Sequence, residues 1–127
     1  MRRKERRPIL WVALLLGLLA AGCRSREENA RLRTGGEPDR GPALIQRYGC
    51  SRCHTIPGVP GADGTIGPPL DRIESRPYLA GRLPNTPENL LRWIRDPQSV
   101  SSGTAMPQLG VAEQDGRDIA AYLYTLR

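Results

Sequence analysis

With 127 residues the chain has room for one small domain. Its net charge of +6 overstates its basic character, because Met1 to Gly22 hold five basic residues and one acid, leaving 14 basic and 12 acidic residues beyond Gly22. That net of +2, with no lysine after Lys4, excludes a nucleic-acid footprint and leaves only weak long-range steering of partners.

The chain opens with "MRRKERRP", a basic stretch, followed by a 14-residue uncharged run from Ile9 to Gly22 that ends in small residues before Cys23. Basic head, short apolar run and small-residue end have the layout of a secretory signal. A spanning helix needs about 20 apolar residues, so the run is short for a permanent span, although Trp11 and the basic flank also suit an uncleaved N-terminal anchor. The ending "LAAGC", Leu19 to Cys23, resembles the lipobox of bacterial lipoproteins, with Ala20 where leucine is usual. Cys23 is therefore a candidate for lipidation; the alternative is an ordinary cleavage site with a cysteine nearby. Residues 23–41 are polar, mixed in charge and almost without apolar side chains, and are expected to form a flexible tether.

From residue 42 to 127 three segments carry helical periodicity. In "PALIQRYG", Pro42 to Gly49, Leu44, Ile45 and Tyr48 share a face. In "TPENLLRWIRDP", Thr86 is the expected N-cap, Pro87 occupies the first helical position, and Leu90, Trp93 and Ile94 form an apolar stripe that Asp96 and Pro97 terminate. The last runs from Glu113 to Arg127, with Ile119, Tyr122, Leu123 and Leu126 on one face. Gly116 within it costs about 1 kcal/mol against alanine and is expected to be tolerated in an exposed first turn. Ala112 stands where a capping serine would be usual, a loss of about 1 kcal/mol. The loops between are rich in proline and glycine, with no alternating run long enough for a sheet. The expected fold class is all-α. A domain of roughly 85 residues without phenylalanine buries little surface and needs help from a metal, disulfides or a cofactor.

Cys50, Ser51, Arg52, Cys53 and His54 spell C-x-x-C-H, the attachment signal of c-type haem. Two thiols one turn apart can each add to one haem vinyl group, and the imidazole on the next residue then lies under the iron. Zinc would need four ligands, and beyond Cys23 the chain has neither a second cysteine pair nor a second histidine. A thioredoxin-like pair would need a βαβ pattern that is absent. A Cys50–Cys53 disulfide would staple almost nothing. Apart from Met1 the only methionine is Met106, in the loop "GTAMPQLG"; it is the candidate for the sixth iron position, since a thioether favours ferrous iron, and the alternative is an apolar gap filler. The axial imidazole needs an acceptor for its other nitrogen, and "IGPPLD", Ile66 to Asp71, offers proline carbonyls on a stiff turn.

Taken together, "GCSRCHTIPG", "GPPL", "NTPENLLRWIRDPQ" and "TAMPQLG" followed by "RDIAAYLYTL" closely resemble the class I monohaem cytochromes c of bacteria over Gly41 to Arg127. The resemblance implies a cytochrome c fold around one haem c attached through Cys50 and Cys53. It further implies His54 and Met106 as axial ligands and the Pro68 carbonyl as acceptor from His54 Nδ1. Trp93 or Arg76 is implied as the partner of a haem propionate, with Trp93 as plain core the alternative. The first and last helices are expected to cross closely, with Gly41 or Ala43 against the Tyr122 region. The reading is a one-electron carrier, not an enzyme, tethered on the periplasmic side of the bacterial inner membrane. Its expected partners are redox proteins of a respiratory chain, with a terminal oxidase as acceptor and no small-molecule substrate. The alternatives are a haem-bearing subunit of a larger oxidase or dehydrogenase, and a gas-sensing or peroxide-reactive protein with an open sixth site.

Overall fold

The computed structural model describes residues 26–127. The signal or anchor segment 1–22 and the lipidation candidate Cys23 lie outside the described residues. Helix α1 covers 26–34, α2 Gly41–Arg47, α3 Pro87–Arg95, α4 Pro97–Val100 and α5 Glu113–Thr125. Single 3₁₀ turns cover Pro38–Arg40, Cys50–Arg52 and Ile73–Ser75. The all-α expectation holds, with one addition: β1 (Tyr78–Leu79) pairs antiparallel with β2 (Leu83–Pro84), two residues each, too short to leave an alternating pattern in the sequence.

Local sequence accounts for the helix ends. The Thr86 hydroxyl accepts from Asn89 N at 3.2 Å and Pro87 starts α3. Asp96 ends α3 and caps α4, its Oδ1 accepting from Ser99 N at 3.2 Å. Ala112 offers α5 no side-chain cap. This longest helix is held instead by packing, since its buried face runs through Gly116, Ile119, Ala120, Ala121 and Leu123.

Close backbone approach organises these helices. A methyl group on Gly41 would overlap Tyr122 Cβ and lie 3.2 Å from the Asp118 carbonyl oxygen, so α2 crosses α5 at this glycine. Ala43 is exposed, which assigns the crossing to Gly41. Gly116 corrects an expectation. It is buried, and a methyl there would stand 2.7 Å from Leu91 Cδ1 and 3.3 Å from Arg95 Cγ, so this glycine lets α3 pack on α5.

The flexible tether is corrected from residue 26 onward. Ala30 is 2% exposed and belongs to the hydrophobic core, and Thr34 is buried, donating to the Ala30 carbonyl (2.8 Å) and accepting from Gly36 N (3.1 Å). Gly36 lies against the Arg117 carbonyl of α5, and Arg117 Nη1 donates to the Thr34 carbonyl (3.1 Å). Asp118, fully buried in α5, accepts from Glu37 N and from Gln114 Nε2, each at 2.9 Å. Its Oδ2 pairs with Arg40 Nη1 at 3.0 Å without hydrogen-bond alignment. The segment read as too polar to fold thus docks through small residues, backbone groups and charged side chains, contacts that leave no hydropathy signal.

A chain starting at Glu37 is expected to lose about 2 kcal/mol, from the burial of Ala30 and Thr34 and their hydrogen bonds. Its thermal midpoint should fall by roughly 10 °C; an unchanged midpoint would restore the tether reading. Gly41→Ala, which cannot be relieved by a rotamer change because it meets backbone and Cβ atoms, should cost about 3 kcal/mol in denaturant unfolding.

Candidate functional site

After α2 the chain turns at Gly49, which takes a left-handed conformation (φ +75°). The Cys50 carbonyl then accepts from both Cys53 N (3.2 Å) and His54 N (3.0 Å), a tight turn that gathers Cys50, Cys53 and His54. Residues 67–70 run alongside: Gly67 N donates to the Cys53 carbonyl (2.7 Å) and Leu70 N to the Thr55 carbonyl (2.8 Å). This pairing sets the Pro68 carbonyl oxygen 2.7 Å from His54 Nδ1. A carbonyl only accepts, so Nδ1 carries the hydrogen and Nε2 keeps the lone pair that can bind a metal. Gly67 lies flat on the imidazole: a methyl there would overlap Cε1 and stand 2.7 Å from Nδ1.

Arg76 holds the same loop. Its Nη2 donates to the Pro69 carbonyl and, at 2.9 Å, to that of Asp71, and pairs with the Asp71 carboxylate at 3.5 Å. This guanidinium is therefore already engaged with backbone, though it also lines the cavity beside His54, as does half-buried Trp93. Met106 lies in the loop after α4, half-buried at the same cavity, its carbonyl accepting from Gln98 Nε2 at 3.2 Å.

The cavity measures about 400 Å³, and its walls are apolar, contributed by Ile45, Ile56, Leu79, Leu90, Ile94 and Leu123 among others. Cys50, Cys53, His54 and Met106 share it. A wider, more open cleft of about 790 Å³ lies against α3 and α5, away from His54. Its arginines are already used, Arg92 on the Ser99 carbonyl, Arg95 on that of Val111, Arg117 on that of Thr34 and Arg33 on Glu74 and the Tyr124 ring, so the smaller cavity is the candidate site.

Burial pushes the Cys50 thiol up, with the neighbouring Cys53 adding to the shift against one backbone hydrogen bond. A dithiol redox centre needs the opposite, a thiolate stabilised near neutrality. Both thiols are free in the structure. Two thiols, one imidazole with a fixed tautomer and one thioether around apolar walls suit a flat, largely hydrophobic, metal-bearing group.

Polar residues that the sequence reading left unmarked complete the frame. Asn85 Nδ2 donates to the carbonyls of Ile73 (2.7 Å) and Arg76 (2.8 Å), and its Oδ1 accepts from Tyr124 Oη (2.8 Å), tying the loop that carries Arg76 to α5. Burial pushes the Tyr124 hydroxyl up to about 12. A raised pKa means the neutral form is favoured by folding, so this contribution is complete below about pH 10 and is lost as pH rises through 12. In "PNTPE" nothing separates Asn85 from an ordinary loop residue, because its three partners are distant backbone and side-chain groups.

A small all-α domain whose C-x-x-C-H turn and loop methionine meet at one apolar cavity has the architecture of a covalent haem carrier. The family model for cytochrome c matches residues 38–127, and the chain belongs to that family. The family implies covalently bound haem c and electron transfer. Among curated proteins, cytochrome c oxidase subunit 2 of Alkalihalophilus pseudofirmus (strain OF4) is 36% identical over 91 residues. The match covers 70% of this chain and a quarter of that protein's length. No solved structure matches the chain.

Asn85→Ala removes three hydrogen bonds and should destabilise by about 2–3 kcal/mol. Tyr124→Phe removes one of the three and should cost about 1 kcal/mol in the same denaturant titration. Equal losses would mean that the bonds to Ile73 and Arg76 contribute nothing.

Proposed function

We propose that this chain is a one-electron carrier holding one haem c, tethered on the periplasmic side of the bacterial inner membrane and delivering electrons to a terminal oxidase. The observation that carries the reading is the meeting of Cys50, Cys53, His54 and Met106 at one apolar cavity. In this reading Cys50 and Cys53 would hold the haem covalently, and His54 and Met106 would bind its iron. Haem supplies the reversible one-electron change at iron.

The residues of the chain do the rest. The Pro68 carbonyl fixes the His54 tautomer and raises the basicity of Nε2. A methionine thioether is soft and neutral, favours the ferrous state and raises the potential. Apolar walls keep water away, which limits the reorganisation that accompanies a change of charge. Trp93 and Arg76 both line the cavity and are the candidates for a propionate contact, since the two carbonyl bonds of Arg76 use Nη2 alone.

The tether follows from Met1 to Cys23. Folded structure begins by residue 26, so an anchor at Cys23 would keep the domain within about 10 Å of the bilayer surface, three residues of extended chain. Such confinement raises the effective concentration at integral membrane partners. The oxidase is favoured as acceptor by the relative, a cytochrome c oxidase subunit 2, part of which aligns with this chain. The same likeness favours a second reading, a haem-bearing subunit held within an oxidase complex. Purification from native membranes separates the two: a carrier comes away alone, a subunit with the complex.

The first test is the visible spectrum of the reduced holoprotein before and after carbon monoxide. It should stay unchanged in the natural protein, and Met106→Ala should give a prompt, large shift. A prompt shift in the natural protein would instead support the gas-sensing or peroxide-reactive alternative.

A further inference from the structure

The loop that carries Met106 has little backbone support of its own. Ser101 N donates to the Pro97 carbonyl (2.9 Å) and Thr104 N to that of Ser101 (3.1 Å). Beyond these, no backbone–backbone hydrogen bond among the described residues reaches 105–110. Met106 N finds only the Thr104 hydroxyl, at 3.4 Å.

One side chain spans this gap. Gln98 Nε2 donates to the carbonyls of Thr104 (2.9 Å) and Met106 (3.2 Å), while its Oε1 accepts from Gly103 N (3.1 Å). Both amide hydrogens and the carbonyl oxygen are thus used on three residues of one loop. Gln98 is itself fixed. It follows the fully buried Pro97 in α4, and that turn is capped by Asp96 and bound to α3 through Arg92, whose Nη2 donates to the Ser99 carbonyl at 3.2 Å.

We infer that Gln98 is a positioning residue that clamps the 103–106 loop and holds the Met106 thioether at the cavity. The inference rests on the reading of Met106 as the axial ligand. It is specific to the amide. A carboxylate of the same length has no hydrogens for the Thr104 and Met106 carbonyls and would set acceptor against acceptor. Methionine fills the same volume but makes none of the three bonds. With the clamp gone, the loop opens more often and Met106 leaves the iron more often, while the cysteine turn and the His54–Pro68 contact, carried by other segments, are untouched.

The test compares natural holoprotein, Gln98→Glu, Gln98→Met and Met106→Ala. Three quantities are read: the rate of carbon monoxide binding to reduced protein, the reduction potential, and exchange of the Gly103 amide hydrogen. In the natural protein Gly103 N should exchange at least about tenfold more slowly than an open chain, since that amide is exposed apart from its bond to Gln98. Both Gln98 variants should bind carbon monoxide at least about tenfold faster than the natural protein, still more slowly than Met106→Ala, and have a lower potential, because the thioether that favours ferrous iron is held less well. Unchanged binding and potential in the variants, with the natural protein resisting carbon monoxide, overturn the clamp and leave the ligation reading standing. Prompt binding by the natural protein overturns the ligation reading, and the clamp with it. Should neither variant mature, an unprotected Gly103 amide in the natural protein overturns the clamp by itself.

Discussion

The site depends first on how closely α2 can approach α5. With Gly41 against Tyr122 Cβ, α2 brings no side chain of its own to the crossing. That contact brings Ile45 of α2, Tyr48 just after it, and Ile119 and Leu123 of α5 to the same apolar cavity. It also sets where α2 ends, and so where the turn carrying Cys50, Cys53 and His54 begins. The second crossing, through Gly116, places α3 so that Leu90, Trp93 and Ile94 close another wall. Two glycines at helix contacts therefore define a cavity whose lining comes from residues scattered over the whole chain.

Around this helical frame the loops are proline-rich and short of backbone donors, and long polar side chains compensate. Arg76 holds the carbonyls of Pro69 and Asp71, Asn85 those of Ile73 and Arg76, and Gln98 those of Thr104 and Met106. Gln98 reaches from α4, while Arg76 and Asn85 lie in loops themselves, and all three pin loop carbonyls from their side chains. This is how a chain with, among the described residues, five helices and a hairpin of two-residue strands keeps a histidine and a methionine, 52 residues apart, in fixed places. A histidine and a methionine on pinned loops suit electron transfer, where little should move when the charge changes.

Helix α1 and the turn after it pack on α5 through Arg117 and Asp118, while Ile119 and Leu123 face the cavity. The N-terminal helix and the cavity thus use different faces of α5. A partner approaching the cavity would not have to displace the N-terminal segment.

The sequence alone determined the chemistry. C-x-x-C-H needs only local spacing to be read, Met106 and His54 were singled out because the chain holds so few alternatives, and helices with regular caps and stripes were visible in Thr86, Pro87 and Leu90. Those signals lie within a few residues of one another, which is the range over which backbone geometry is set by its neighbours. Tertiary structure alone decided the rest: that Gly41 and not Ala43 is the crossing point, that Gly116 is a contact and not a tolerated weakness, and that residues 26–41 fold against α5. It also decided which polar side chains pin the loops. A glycine looks the same in sequence whether it is exposed or pressed against a helix. Ala30, Thr34, Asn85 and Gln98 likewise acquire their roles only from partners that lie far away along the chain or on backbone atoms common to every residue.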